Sequence, residues 1–583
     1  SIDLGARVDA LPAPGPAAER LRTLLEPLGL AARPNADGQF VISAIPTGLV
    51  EGTLKADPGG QAVPFAEVRL PSGDPAISDA EGRFRFLRVP EGPQRLHIAR
   101  PGYLGRHVDV TVRAGTRHRL NVDLKIGGET RDEIFVSTAP EEPPLGTVAL
   151  STRQTRDTLL AGQDAVTSGA RLPGTRPDGG YSRGVSVRGH GAKRMALVVD
   201  GLEIDEPYHL RDLGSFAGVI TPAAVGQVKL HRSSPPLVYG TQSGGVLEVL
   251  TDTPDRRFTA RFGAGDEGYH SALGGTALSA QVRWLAAFRN GRPDLPRDAT
   301  GTNRRPEYRD QFAKLATTLH PRHELTLQTL GAEDDIDVDD FFQTFFRSPT
   351  TLRIAQQSRY SHARYLGRWG QRHLMELTAF ESDIERGRFG QELQTEILTP
   401  RGTQNLFVLD DQRSTRRTGA HLRGSTHVGM RLDWRWGADA QQESTAYDYR
   451  HVGRPREPPF SSQSEFVEFQ EELEQDRLGL FSEAQWRVRS DTTFKGGVRY
   501  DVDDLSDESA VMPRLSLSVR KGAGVWRASW SRVVDFPATH ELPLADHDET
   551  LPGPEISDYI SLGYERAWGR QQLSIEAYSQ AIE

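Results

Sequence analysis

The run with the clearest catalytic potential is HELPLADH, His540 to His547, in which a His-Glu pair is followed by a second His. A helical zinc site of the HExxH type needs its two imidazoles four residues apart, so that both leave one helix face. Here the spacing is seven, and Pro543 sits inside the would-be helix. The run therefore reads as an exposed loop. Two acidic runs, EDDIDVDDFF (Glu333 to Phe342) and DVDDLSDES (Asp501 to Ser509), crowd carboxylates as a Ca²⁺ site does. Neither has the Gly and terminal Glu of an EF-hand loop, so both read as solvated external loops. Ca²⁺ in those loops is the sole cofactor the sequence suggests, and no metal ligands are assigned. Phe341, Phe342, Phe345 and Phe346 beside the first run form a ligand-contact patch or simple loop packing. With no cysteine in the chain, disulfides, thiolate metal sites and cysteine nucleophiles are excluded. No nucleophile, base and orienting group occur in a recognisable context, so no enzyme is expected.

The elements that would position any site are mainly strands. The chain has 583 residues, too many for one compact core, and an apolar fraction of 37%, ordinary for folded proteins. Net charge is -9 with both signs interspersed, which leaves no basic footprint for nucleic acid. Mean hydropathy is -0.51 and no run of about 18 apolar residues occurs, so no helical membrane span is expected. The N-terminus SIDLGARVDA lacks a basic region followed by an apolar core, and a secretory signal is read as absent or removed.

Four segments follow one another. In residues 1–45, Leu21, Leu24, Leu25 and Leu28 fall at helical spacing, Gly29 closes the helix, and Phe40 to Ser43 is a strand. Residues 48–126 carry GLVEGTL, AEVRL, GRFRFLRV, QRLHIA, HVDVTV and HRLNVDL between Gly, Pro and Asp turns, the pattern of a small β-sandwich. Residues 127–140 form a Gly-, Pro- and charge-rich linker with an apolar centre at Ile134, Phe135 and Val136. Exposed β-favouring residues with free backbone groups invite strand addition by a partner. In residues 141–253, Asp200-Gly201 sits between MALVV and LEI as a tight hairpin, while Gly240, Gly244 and Gly245 permit close backbone approach or positive φ.

From about residue 256 the period is two. Leu432, Trp434, Trp436, Ala438 and Ala440 share one face, and Arg431, Asp433, Arg435, Gly437 and Asp439 the other. Val282, Trp284, Ala286 and Phe288 oppose Gln281, Arg283 and Arg289 in the same way, and Phe494, Gly496, Val498 and Tyr500 oppose Lys495, Arg499 and Asp501. A soluble sandwich also alternates. Strands of 10 to 15 residues, aromatics near their ends and long polar loops favour membrane strands. A closed barrel satisfies its own backbone groups in lipid, so such a chain needs no helical span.

Read together, these motifs resemble those of TonB-dependent outer-membrane receptors. SVRG (Ser186 to Gly189), VVDGLEI (Val198 to Ile204), VGQVKLHRS (Val225 to Ser233) and YGTQSGGVLEVLT (Tyr239 to Thr251) come in the order of that family's plug domain. The hairpin SDAEGRFRF with the later PGY at Pro101 resembles the carboxypeptidase regulatory-like domain, and residues 1–45 resemble part of the secretin and TonB N-terminal domain. The linker segment Asp132, Glu133, Ile134, Phe135, Val136, Ser137 and Thr138 resembles a TonB box.

The resemblance implies a mainly β protein: a transmembrane antiparallel barrel of the 22-stranded type, with a plug in its lumen and the smaller domains in the periplasm. About 16 strand segments are countable against roughly 22 for such barrels, so the last strands are expected to be missing. It further implies active import of a scarce ligand, an iron chelate in preference to an oligosaccharide or peptide. Its partners would be TonB with its inner-membrane proton-motive complex, outer-membrane lipid and an inner-membrane anti-sigma regulator. The competing readings are an adhesin, a passive porin-like barrel, or a glycan importer working with a surface lipoprotein. Plug residues singled out are Arg188, Gly189, Asp200, Gly201, Tyr239, Gly240, Gly244 and Gly245, with Arg188 expected to pair with carboxylates of the barrel wall. Tyr208, His209, Arg211, Arg232 and Ser233 lie on the loops expected to face ligand outside.

Overall fold

The alternating runs of residues 48–126 become two small sheets. The computed structural model describes most of residues 30–57, 62–99, 106–125, 147–150 and 172–583, together with Val166 and Gly169. Loops 212–216, 294–305, 340–349, 396–403, 454–464 and 542–552 and some shorter stretches lie outside the description. The expected helix of residues 21–28, the linker segment 132–138 and the four-phenylalanine group are therefore outside it as well. The chain divides into two compact units, one within residues 1–130 and one within 141–583.

In the first unit, Phe40–Ala44 pairs with Leu30–Pro34. The sandwich sets Thr47–Asp57 between Arg83–Pro90 and Arg117–Lys125, and faces this sheet with Ala76–Ile77, Glu67–Arg69, Gly92–Ala99 and Arg106–Val112. Alternate residues point inward, so Val50, Leu54, Val68, Phe84, Leu96, Ile98, Val122 and Leu124 meet in one core. Each such side chain contributes about 1.5–3 kcal/mol by leaving water. Ser78, the polar residue among them, is satisfied at both ends: it accepts from Ala66 N at 2.8 Å and donates to Val63 O at 2.8 Å.

In the second unit, residues 147–251 build a five-stranded sheet in the order Thr147–Leu150, Val225–His231, Val246–Thr251, Ala196–Val199, Leu202–Ile204. Every residue of Val246–Thr251 is buried, as a central strand covered on both faces requires. Asp200 (φ 53) and Gly201 (φ 89) make the two-residue turn from Val199 to Leu202, with the positive φ pair of a type I′ hairpin.

Around this globule runs a single sheet of 15 strands, each antiparallel to its sequence neighbour, from Thr259–Gly265 to Gln571–Ile582. Those two end strands are not paired with each other among the described residues. The strands reach 25 residues, longer than the 10 to 15 expected. At one end they join by short turns, as between His320 and His323. At the other end several join by long loops, the asymmetry of outer-membrane barrels.

The two faces of this wall are inverted relative to a water-soluble protein. Asp433 (4% exposed), Arg435 (3%) and Glu483 (4%) point in, while Trp434 (42%) and Leu480 (59%) point out. Burying a charge is costly and exposing an indole to water gains nothing, so this pattern makes sense only with lipid outside and polar partners inside. Along Glu465–Arg489 the outward residues Leu478, Leu480, Ala484, Trp486 and Val488 are apolar or small, broken only by Ser482. Beyond them come Asp476, Glu474, Glu472 and Glu468. The apolar stretch matches the ~9–11 residues a tilted strand needs to cross a bilayer. Trp369, Trp434, Trp486 and Trp526 are exposed near the short-turn ends, where an aromatic girdle sits at the lipid–water boundary. No helix among the described residues is long and apolar enough to cross a membrane.

Both acidic runs, expected in loops, lie largely on strands. His323–Asp339 carries the first as far as Asp339, with buried Ile336 splitting the charges and Asp337 facing Arg353 in register. In the second, Asp501 and Asp503 end the strand Thr492–Asp503, point inward, and meet Arg499 and Arg477. Period-two alternation puts Asp334, Asp501 and Asp503 on the lumen side, where they meet His209, Arg499 and Arg477, and puts Glu333, Asp335 and Asp337 on the other face of their strand. No cluster of three or more His, Cys, Asp or Glu suited to a metal occurs among the described residues.

Candidate functional site

The site is the joint between the central globule and its wall, with the space on the long-loop side of that joint. The globule carries a dense apolar core of Val185, Leu197, Val199, Ile220, Val228, Leu230 and Leu247. That core meets wall residues Phe312, Leu330, Tyr360 and Phe380. Polar fastenings surround this contact.

At the Asp200-Gly201 turn, Asp200 accepts from Thr251 N at 2.9 Å and from the Thr251 hydroxyl. Lys314 of the wall lies 3.8 Å from Asp200 and donates to Thr251 Oγ1 at 3.0 Å and to Thr253 Oγ1 at 2.6 Å. Arg417 of the wall reaches Asp205 at 2.6 Å and donates to Glu203 O at 2.8 Å. Arg499 donates to Leu237 O at 3.1 Å and pairs with Asp439 at 2.6 Å and Asp501 at 2.8 Å. Arg188 lies 2.5 Å from Glu576 of the last strand, over the Tyr578 ring at 4.0 Å, and His190 bonds Gln580 at 2.6 Å. These side chains alternate along their strands, and the inward parity that buries Arg435 and Glu483 also aims them at the plug.

Tyr208 and His209 pair with Gly218 and Ala217 in a two-stranded ribbon. Expected on a ligand-facing loop, both are instead buried inside the joint, at 4% and 1% exposure. His209 Nδ1 meets Asp334 at 2.6 Å, its Nε2 meets Asp310, and its ring stacks on Tyr308 at 4.5 Å. Burial alone would lower its pKa, but Asp310 and Asp334 outweigh burial and raise it to about 9. Arg211 turns back to Glu206 on its own segment. Arg232 donates to Pro173 O at 2.6 Å and pairs with Glu576 at 3.3 Å. Carboxylates of the wall, far away in sequence, draw His209 and Arg232 inward, whereas Arg211 is held by its own segment. Ser233 and Gly189 lie outside the described residues.

Gly240 (φ 69) and Gly245 (φ 99) hold positive φ, as their motif suggested. Tyr239 packs beside His231 at 5.7 Å, and burial holds its phenol well above the usual range. Gly244 answers to space: a Cβ there would sit 2.2 Å from Arg194 O.

Toward the long-loop end, the inner wall carries a group absent from the sequence reading. Asp411 receives Arg388 Nε at 2.8 Å and Arg413 Nε at 3.0 Å. Arg413 stands 5.2 Å from the Tyr447 ring, and Tyr449 stacks on Phe469 at 5.1 Å. Arg386, Arg413 and Tyr447 occupy one transverse row of the sheet. The signal was present as Arg386/Arg388, Asp411/Arg413 and Tyr447/Tyr449 at i, i+2 spacing, but only the register shows that the three pairs adjoin. The segment Phe536–His540, which leads into the HELPLADH run, folds against this wall, while residues 542–547 of that run lie outside the described residues. Thr539 is buried and its carbonyl accepts from the Tyr447 hydroxyl, Pro537 O accepts from Gln475 at 2.9 Å, and His540 meets Glu443 at 3.1 Å. Thr539 finds its hydroxyl partner in Thr445 at 2.7 Å, a contact invisible in sequence.

The family model described as TonB dependent receptor-like, beta-barrel matches residues 251–583, and that described as Carboxypeptidase regulatory-like domain matches residues 49–125. No curated protein matches the chain. Similar solved structures include the ferric yersiniabactin uptake receptor FyuA from Yersinia pestis, with a TM-score of 0.57 and 14% identity over 75% of this chain and 72% of that one. The alcaligin outer-membrane receptor FauA from Bordetella pertussis gives 0.53 and 14% over 76% and 72%. The siderophore receptor PirA from Pseudomonas aeruginosa gives 0.52 and 14% over 76% and 75%. At such identity these likenesses establish the fold alone. With the barrel model matching more than half of its residues, this chain belongs to the TonB-dependent receptors, a family of outer-membrane β-barrels that transport ligands rather than catalyse reactions.

Proposed function

We propose that this receptor imports a scarce anionic ligand, a ferric siderophore in preference to a glycan or peptide. In this reading TonB grips Asp132 to Thr138 as an added strand and draws on the plug with energy from the inner-membrane proton-motive complex. The observation that carries this reading is the combination of a filled lumen with an arginine patch, Arg386, Arg388 and Arg413, set among carboxylates such as Glu471 on the long-loop side. A plug fastened by polar bonds that water can replace permits selective uptake but resists free diffusion. Arg386 and Arg413 line the cavity on this side and offer charge to a planar or chelating anion, with the buried Tyr447 ring packed against the Arg413 guanidinium. The similar structures named above are siderophore receptors, which favours the same ligand class here. A passive porin has no use for a filled lumen; electrical conductance of the purified protein discriminates between the two.

Residues 1–45 suit a signalling role through an inner-membrane anti-sigma regulator. Their deletion is expected to abolish induction of a target operon and to spare uptake. The substrate test is growth of a deletion strain on a panel of iron chelates and polysaccharides, with equilibrium binding of each to the purified receptor. Binding of a polysaccharide and of no iron chelate would move the assignment to a glycan importer working with a surface lipoprotein.

A further inference from the structure

The ribbon of Tyr208–His209 and Ala217–Gly218 is fastened to three successive wall strands by one closed polar circuit. His209 lies between Asp310, on Glu307–His320, and Asp334, on His323–Asp339. The second oxygen of Asp334 accepts from Leu210 N at 2.9 Å. The second oxygen of Asp310 accepts from Arg289, on Val282–Gly291, and Arg289 also donates to Gly218 O. Both strands of the ribbon are thus held, one through His209 and the other through Gly218.

The protonation state follows from geometry. Carboxylates accept and do not donate, and both ring nitrogens of His209 face one, so each nitrogen must carry a proton. Charge gives the same answer: Asp310 and Asp334 are balanced by Arg289 and an imidazolium, whereas a neutral His209 would leave a net negative charge with 1% and 0% of the His209 and Asp310 side chains exposed. The Tyr308 ring closes one face of the imidazole. Arg211 pairs with Glu206 on the plug's own segment, and His270 stands opposite Arg289 on the neighbouring wall strand.

We propose that His209 is a positioning residue for transport: as an imidazolium it latches this corner of the plug to the wall and sets how readily the plug lets go. The proposal rests on the transport reading above for its purpose, but the latch itself is testable without ligand or TonB. Since the raised pKa lies near 9, the latch is complete below the ordinary histidine value of about 6.5 and is lost as pH rises through about 9.

The chain has no cysteine, so a thiol placed at Ala217, 2% exposed beside His209, reports release of the ribbon. A thiol at exposed Lys521 in a separate variant calibrates the reagent at each pH. In the full-length receptor in lipid nanodiscs, maleimide labelling of Ala217→Cys, taken relative to Lys521→Cys, is expected to be slow from pH 6 to 8 and to rise at least tenfold by pH 10. Adding His209→Gln is expected to give the fast rate already at pH 7, and His209→Lys, charged at every pH used up to about 10, to restore the slow one. Equal slow labelling of Ala217→Cys with and without His209→Gln, or a rate flat from pH 6 to 10, overturns the proposal. If His209→Gln fails to assemble as a heat-modifiable barrel, Asp334→Asn, which keeps the Arg289–Asp310 pair, is read against the same two outcomes. A working latch in a receptor that imports no iron chelate would overturn the proposed substrate and leave the latch standing.

Discussion

Arg188 of the plug and Glu576 of the last wall strand lie 2.5 Å apart, with 3% and 11% of their side chains exposed. The desolvation cost of two charges at such a site is comparable to their attraction, so the pair adds little net stability while intact. Losing one partner is different, because the other charge then stays buried and unmatched. The joint is thus stiff against accidental opening, yet its bonds can be exchanged for water once the plug starts to move.

Glu576→Gln is therefore expected to weaken plug retention by about 3 kcal/mol, within the range seen when a buried pair loses one member. Cells carrying it should become sensitive to antibiotics too large for ordinary porins. Arg188→Met with Glu576→Gln should be less harmful than the sum of the two single changes, since Arg188 is no longer left as an unmatched charge and only Arg232 loses its carboxylate. Simple additivity of the sensitivities, with no coupling, would show that the two side chains act independently.

Much of this architecture is legible in the sequence because β alternation records only which face a residue is on. Arg435 and Trp434 could be assigned to opposite faces from their neighbours alone, and the Asp200-Gly201 turn from its dipeptide. What alternation does not record is the register between strands distant in sequence. His209 finds Asp310 and Asp334 more than 100 residues away, so it could be ranked only by the loop it was expected to occupy. Arg413 and Tyr447 meet for the same reason, through strand pairing. The acidic runs misled because a string of Asp and Glu looks alike in a solvated loop and on a strand that continues past the membrane.

Leu480 and Glu472 both point away from the lumen on the same strand, one in the apolar band and one beyond it. Leu480→Arg is expected to destabilise the folded barrel by about 2 kcal/mol, and Glu472→Arg by less than about 0.5 kcal/mol, because the cost of a charge depends on its depth in lipid. Unfolding titrations in lipid vesicles measure both. Equal effects would place the membrane boundary elsewhere on this strand.

At Gly244 a methyl group would stand 2.2 Å from Arg194 O, inside contact distance of rigid backbone. Gly244→Ala should therefore displace the segment entering Val246–Thr251, the central plug strand, at a cost of about 1–3 kcal/mol. The expected signature is faster proteolysis of the plug with the barrel still heat-modifiable. An unchanged digestion pattern would mean that the Arg194 segment yields freely.

Ile134 lies in the segment proposed to receive TonB. Proline there removes a backbone donor and fixes φ, which strand addition does not tolerate, whereas Ile134→Ala keeps both backbone groups. Ile134→Pro is expected to abolish energised uptake and to leave ligand binding at the cell surface unchanged, with Ile134→Ala close to the parent. Persistent uptake by the proline variant would remove the coupling role from this peptide.

The basic wall at Arg388 and Arg413 makes the most specific statement about ligand. Two guanidiniums share the single carboxylate of Asp411, so this group of three carries a net positive charge, and the buried Tyr447 ring supports Arg413 from behind. An anionic chelate bound there exchanges hydration for charge-assisted hydrogen bonds, each contributing about 1.5–3 kcal/mol. Arg413→Ala is accordingly expected to weaken binding of an anionic ferric siderophore about 10- to 100-fold, and Arg413→Lys less, since lysine keeps the charge and loses the planar fork. Asp411→Asn removes the competing carboxylate and should tighten the same ligand. A neutral oligosaccharide would respond weakly to all three changes. Titration calorimetry at two salt concentrations separates these cases, because the charge contribution shrinks as ionic strength rises. An iron chelate that binds equally to the parent and to Arg413→Ala would show that its site lies on another part of the wall.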